Sequence, residues 1–409
     1  MMTKLKKTTT FLMVAIMLAG MTALAAPDDG EDAIKVSLRI EGVSEVMYYN
    51  TEIELAAGTS IAGLMEGLEN LDGAPKAVIN DSGYLARIGD LKEGAYGGWS
   101  GWSFRYNGEE LTSGIGDYIL LDGDEVVCYY GDPWGGPGMQ YPIVDLSNLF
   151  TNNSIRFTSL DTDYSTDPPA VKENPIAGAK VTFHDAVYTT DENGEIAIAD
   201  MHGISGYRAL QIERYDEESE VPTVLRFAPD YMQYVPFSDM MSEMWYDAAV
   251  MFCVREWSYQ GTNTEQNLFE PTREMNMAEL LRVLALIADT DLSAPLFPDE
   301  PWFKHELEWA IYHGIISMED FDATASVTKE RYIYMFYLTM ELTQKHDMTV
   351  RADISGAVDY GEINEEYHDA ISWAVASGIV SGTSDTALEI DPAQEFTRAM
   401  VCQLLYNYL

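Results

Sequence analysis

Cysteine is scarce in this chain: three residues in 409, Cys128, Cys253 and Cys402, each inside an apolar stretch. So few and so scattered, they exclude a disulfide framework and read as small buried hydrophobes, with a single Cys253–Cys402 bridge still conceivable. Basic residues are also few. Against 67 Asp and Glu stand 24 Lys and Arg, a formal net charge of −43, and such a surface repels nucleic acid and anionic lipid, which are held through neutralised phosphates. Beyond residue 26 no apolar run is long enough to span a bilayer. There is no Gly-x-Ser-x-Gly, no Walker loop and no dinucleotide fingerprint. His305-Glu306 begins like a zinc-protease helix, but Trp309 stands where the second His belongs. Asp161-x-Asp163-x-Ser165-x-Asp167 alternates oxygens like a calcium loop, yet lacks Gly at the sixth position and Glu at the twelfth. No metal site, cofactor or catalytic group is expected, and the chain reads as a non-enzyme.

What is present begins with a segment of three parts: Lys4, Lys6 and Lys7, an apolar run from Phe11 to Leu24, and Ala23-Leu24-Ala25 as a small-x-small cleavage site. Residues 1–26 are therefore expected to be a secretory signal, its apolar part too short for a spanning helix. The product is expected to be extracellular, a monomer, and free of the membrane. With 47% apolar residues and eight Trp, the rest folds. The expected class is multidomain α+β.

Residues 33–132 read as a small α+β domain. Val36-Ser-Leu-Arg-Ile40 alternates with period two, Ile53-Glu-Leu55 follows, Thr59 or Ser60 caps a helix carrying Ile61, Leu64, Met65 and Leu68, and strands flank Asn107-Gly108 and Asp122-Gly123-Asp124. That order is a β-grasp sheet. The "ala-gly-thr-ser" run (Ala57 to Ser60), the Gly-Gly-Trp…Trp-x-Phe-x-Tyr-Asn-Gly run (Gly97 to Gly108) and the Gly-Asp…Gly-Asp-Glu-Val hairpin (Gly116 to Val126) resemble the C-terminal β-domain of transcobalamin-type proteins. The resemblance implies a ligand contact. Trp99, Trp102 and Tyr106 are the candidates for flooring a pocket, with cobalamin the ligand implied, although the helical domain that works beside it in that family is lacking here.

Residues 133–174, rich in Pro, Gly and Asp, read as a linker with one short strand near Ser154 to Phe157. Residues 175–230 turn to β pattern. Gly178-Ala-Lys-Val181 and Thr190-Asp-Glu-Asn-Gly194 resemble the small β-sandwich of carboxypeptidase regulatory domains, which implies a spacer.

The remainder repeats one helical unit three times, at 235–285, 295–345 and 355–409. Trp373 to Gly382 matches Trp309 to Ser317, and a shift of 121 residues lays Gly261 on Gly382, Glu270-Pro271 on Asp391-Pro392 and Asn276-Met-Ala278 on Thr397-Arg-Ala399. Units too small to bury their own apolar faces pack together, so one all-α body is expected. Phe237-Ser-Asp239, Phe297-Pro-Asp299, the Gly-Ile-x-x-Gly of the third copy and its Thr397-Arg398-Ala399 resemble the S-layer homology domain. That resemblance implies a pseudo-threefold body attached without covalent bonds to a wall polysaccharide, acidic and often bearing pyruvate. Thr at a helix N-cap leaves N–H groups outward and Arg398 adds a fork of donors, so the helix start is expected to be an anion site. Glycan-binding candidates are Arg398, Thr397, Gly378, Gly382 and Asp359, with Lys329, Asp299 and Trp302 in the second copy. The first copy, with Asn276-Met277, is expected to pack without binding. Two other functions stand beside this one: a surface receptor for cobalamin or a similar small ligand, and a surface enzyme with an unrecognised site.

Overall fold

The computed structural model describes residues 33–132, 138–163, 165, 167–240, 244–257, 259–344, 347–380 and 387–408. Residues 1–26, expected to be a secretory signal, and Gly382 lie outside the described residues. The chain divides into two compact units, the first comprising 33–200 and 209–233 of the described chain and the second 201–208 and 234 onward.

The first unit opens with a five-stranded sheet. Its strands are β1 (Ala33–Glu41), β2 (Val46–Ala56), β6 (Gly101–Tyr106), β7 (Glu109–Glu110) and β8 (Glu125–Gly131), in the order β2-β1-β8-β6-β7. A small side sheet holds β3 (Ala77–Ile79), β4 (Leu85–Ile88) and β5 (Leu91–Lys92). The first and last long strands, β1 and β8, are parallel neighbours at the centre, which is the defining feature of a β-grasp sheet. Helix α1 (Ile61–Glu66) forms because Ser60 accepts from the Gly63 N–H as its cap, and it buries Ile61, Leu64 and Met65. These side chains share one core with Val36, Leu38, Ile40, Trp102 and Val126.

Strands also occupy the stretch read as a linker. β9 (Ile143–Asp145) and β11 (Ala170–Pro175) both pair with β10 (Ser154–Asp163), which pairs in turn with β14 (Glu195–Ala197); α2 (Leu149–Asn152) precedes β10. Within the stretch read as a linker, 143–145, 154–163 and 170–175 are thus strands, and β10 pairs onward with β14 of the following segment. The reason is burial. Ile155 and Phe157 of β10 are fully enclosed, and a half-buried strand is stabilised whatever the polarity of its neighbours. The second sheet runs β13-β12-β15-β16, from Ala186–Thr189, Lys180–Phe183, Gly206–Glu213 and Met232–Val235. The Thr-Asp-x-x-Gly signature is structural. Thr190 Oγ1 donates to Ile176 O and accepts from the Ala179 N–H, Asp191 accepts from Asn193 and Glu195, and a Cβ on Gly194 would meet Phe157 O at 2.3 Å. Within this unit Glu41 is buried between Arg39 and Arg226, which tie the β-grasp sheet to the segment after β15.

In the second unit each copy supplies two helices: α3 (Asp247–Trp257) and α4 (Met277–Ile287), α5 (Lys304–Tyr312) and α6 (Lys329–Thr343), α7 (His368–Ala376) and α8 (Arg398–Tyr408). The second helix of each copy packs on the first helix of the next: α4 on α5, α6 on α7, α8 back on α3. One continuous core runs through all three, from Phe237 to Leu405. Among the described residues, no helix is long and apolar enough to cross a membrane.

Candidate functional site

The residues that precede the second helix of each copy bond to one another in a closed ring. Met275 N–H donates to Phe396 O (2.8 Å), Phe396 N–H to Val327 O (2.9 Å), and Val327 N–H to Met275 O (3.3 Å). The first two residues of each helix repeat the pattern. Met277 donates to Ala325 O, Lys329 to Gln394 O and Arg398 to Arg273 O; Ala278 donates to Ala323 O, Glu330 to Pro392 O and Ala399 to Pro271 O. The first free amides of α4, α6 and α8 are therefore already taken by carbonyls of a neighbouring copy. Asn276 and Thr397 accept from the amides of Glu279 and Met400, the third residue of each helix. The expected anion site at these helix starts is corrected: their donors face protein, not solvent.

Met277, Lys329 and Arg398 occupy equivalent positions in this ring, and all three side chains are buried. Arg398 is 3% exposed. Its Nε donates to Phe269 O (2.8 Å), an Nη to Gln260 O (2.7 Å), and the guanidinium lies over the Tyr259 and Phe269 rings. It joins the third copy to the first, and its role as the principal glycan contact is corrected to a packing role, because its fork is used on main-chain oxygens.

Lys329 differs. It is 7% exposed, and among the described residues its ammonium makes no hydrogen bond and no ion pair within 4 Å. Burial holds its pKa below the ordinary lysine value, while the charges of Asp391, Asp359 and Glu389 act the other way. Asp359 is itself engaged, accepting from the N–H groups of Ile390 and Asp391 and so clamping a turn in which Asp391 has a φ of 55°. Asp239 makes the same clamp in the first copy, on Phe269 and Glu270. Asp299, the counterpart by motif in the second copy, is exposed and makes no such clamp; there the Phe297 N–H bonds to Glu300 instead.

Trp302 is 48% exposed, in the segment before α5, and packs edge-on against Phe303. Gly378, with a φ of 73°, ends α7 as Gly314 ends α5, so its left-handed backbone closes a helix. Gly261, the aligned partner of Gly382, is needed for chain packing: a Cβ there would meet Leu268 O at 2.3 Å. The candidate residues are thus divided between junctions. Lys329, Asp359 and Asp391 come together; Thr397 and Arg398 belong to another junction.

In the β-grasp domain the three aromatic candidates also separate. Trp102 is 2% exposed, its Nε1 donating to Leu91 O and its ring packed edge-on to Tyr130. Tyr106 hydrogen-bonds Asp124, which pushes its pKa up to about 12. Both belong to the sheet, which corrects their placement in a pocket floor. Trp99 alone is displayed, 75% exposed. The loop beneath it is fixed: the Tyr130 hydroxyl accepts from Ala95 N–H and lies 3.0 Å from Lys92 O and 3.2 Å from Ser100 Oγ, while Trp99 N–H donates to Asp132. Gly98, with a φ of 58°, is required there, because a Cβ would stand 2.6 Å from Asp132 Oδ2. Elsewhere in this unit a cleft of about 260 Å³ lies between the β1–β2 turn and β12, where Lys180 pairs with Glu213 and Arg226 with Glu41.

Residues 59–132 match the family model described as "Domain of unknown function (DUF4430)". The chain is also similar to the crystal structure of haptocorrin in complex with Cbi, at 17% identity over 26% of this chain and 27% of that one, with a TM-score of 0.21. It spans only that 27% of haptocorrin, and so distant a likeness carries no argument about a ligand. No curated protein matches. The class defined by the fold is a mixed α/β multidomain protein with several sheets and a β-rich N-terminal domain.

Proposed function

We propose that this chain is a secreted bacterial surface protein in which the triplicated helical body is an S-layer homology anchor, held to an acidic wall polysaccharide, and the transcobalamin-like domain is displayed for binding. The observation that carries the anchor reading is Lys329. Of the three equivalent ring positions, one is apolar, one is an arginine used on main-chain carbonyls, and Lys329 keeps an ammonium with no hydrogen-bond acceptor. The stem of this lysine is buried while its Nζ is not among the enclosed polar atoms that lack a partner, so the head reaches the surface, where a carboxylate or ketal oxygen of a wall sugar can pair with it. Asp391 beside it accepts from sugar hydroxyls. The test is sedimentation of the full mature chain with purified cell walls. The protein is expected to pellet with intact walls, to stay in solution once the wall polymer is stripped, and to lose retention in Lys329→Met; pelleting with stripped walls would remove the reading.

Trp99 favours a second activity in the same molecule, capture of a flat or ring-shaped small molecule such as a corrinoid. A large apolar side chain on a rigid, glycine-bent loop is a ready stacking surface. Titration with cobalamin, followed by absorbance and by Trp fluorescence in wild type and Trp99→Ala, tests it: no change at high micromolar ligand would leave the domain without this function.

A further inference from the structure

Cys253 on α3 and Cys402 on α8 meet where the third copy packs back on the first. Both are fully buried, and the Cys253 Sγ lies 3.7 Å from Cys402 O. The Cys253 thiol thus donates to the main chain of the residue that carries the second thiol. Nothing in the ring of main-chain hydrogen bonds requires two cysteines here; a pair of small hydrophobes would fill the same space.

We infer that Cys253 and Cys402 are a disulfide site, and that the bond closes the three-copy ring covalently. Two thiols give one disulfide with loss of two electrons and two protons, so an oxidant is needed, and a low-molecular-weight disulfide such as cystine supplies it. One thiolate attacks the small disulfide and releases one small thiol; the second protein thiolate attacks the resulting mixed disulfide and releases another. The S–S bond of the reagent breaks, one protein S–S bond forms, and the two protons end on the released thiols. Full burial pushes the Cys402 thiol well above its ordinary pKa, so exchange belongs to the folding chain or to an opened body rather than to the closed one. The bond would span 149 residues of chain, long enough for a large effect on the unfolded state.

The experiment uses the full chain and does not depend on any variant folding. Protein unfolded in guanidinium is refolded with cystine and cysteine, denatured again, alkylated with iodoacetamide and weighed. One label is expected, on Cys128, which lies in the core of the other unit, with peptide mapping joining α3 to α8. The thermal midpoint is expected to stand on the order of 10 °C above that of the dithiothreitol-treated protein. Cys128→Ser is expected to take no label, and Cys253→Ser to take two. Three labels on the wild type after refolding, a linkage through Cys128, or a midpoint lowered by the bond would overturn the inference.

Discussion

Arg398 and Lys329 are both cations one position past a helix cap, yet the structure gives them opposite tasks. Arg398 satisfies two carbonyls that would otherwise be buried without donors, so Arg398→Ala is predicted to cost about 3 kcal/mol in urea denaturation, the sum of two such losses at typical magnitude. A change within about 0.5 kcal/mol would show that the site is open to water. The aromatic pair in the β-grasp domain divides the same way. Trp102→Ala is predicted to cost roughly 3–5 kcal/mol, as a large core side chain does, whereas Trp99→Ala should stay within about 0.5 kcal/mol, because it leaves only exposed surface. Sequence placed these residues on one list because residue type does not carry burial. The clue available was Met277: an apolar residue aligned with Arg398 and Lys329 indicates that the position points inward in every copy.

At the scale of elements, the helices and the first sheet were legible because their patterns are long and periodic. The alternation in β1, the cap and apolar spacing of α1, and the repeated Trp-Ala-x-x-x-Gly ends of α5 and α7 each have one low-energy solution. Of strands β9 to β11 only the start of β10 was legible, as the short strand near Ser154 to Phe157; β9 and β11 were not, since neither buries a face of its own. N-cap chemistry was read correctly as a helix start but wrongly as an open one, because the same Thr or Asn serves whether the amides face water or a neighbouring carbonyl. The Asp clamps give a prediction that separates motif from function. Asp359→Ala removes the acceptor of two main-chain N–H groups and is predicted to lower stability by about 1–2 kcal/mol, while Asp299→Ala should fall within about 0.5 kcal/mol. Thermal melts of the two variants decide it; equal losses would mean that the second copy closes its turn in solution as the others do.

For the molecule as a whole, the closed ring makes folding of the helical body a joint property of three copies. No copy can satisfy its own helix starts, so removing one leaves open amides and carbonyls in the other two. The ring also brings together the equivalent residues Glu274, Ser326 and Glu395. Ser326 donates to Glu274, and hydrogen bonding with Glu274 raises the Glu395 pKa above its ordinary 4.5. A carboxyl whose folded pKa is raised favours the fold below the ordinary value and loses that contribution as pH rises through the raised one. The predicted outcome is that the thermal midpoint of Glu395→Gln, compared with wild type, gains ground as pH climbs from 4.5 toward neutrality; a constant difference would show that the two carboxyls do not interact.

The most direct test of the anchor is isothermal titration of the full chain with the purified acidic wall polymer. The account predicts saturable binding in wild type, undiminished in Trp99→Ala and abolished in Lys329→Met while the circular dichroism spectrum is unchanged. Equal binding by wild type and a folded Lys329→Met would contradict it.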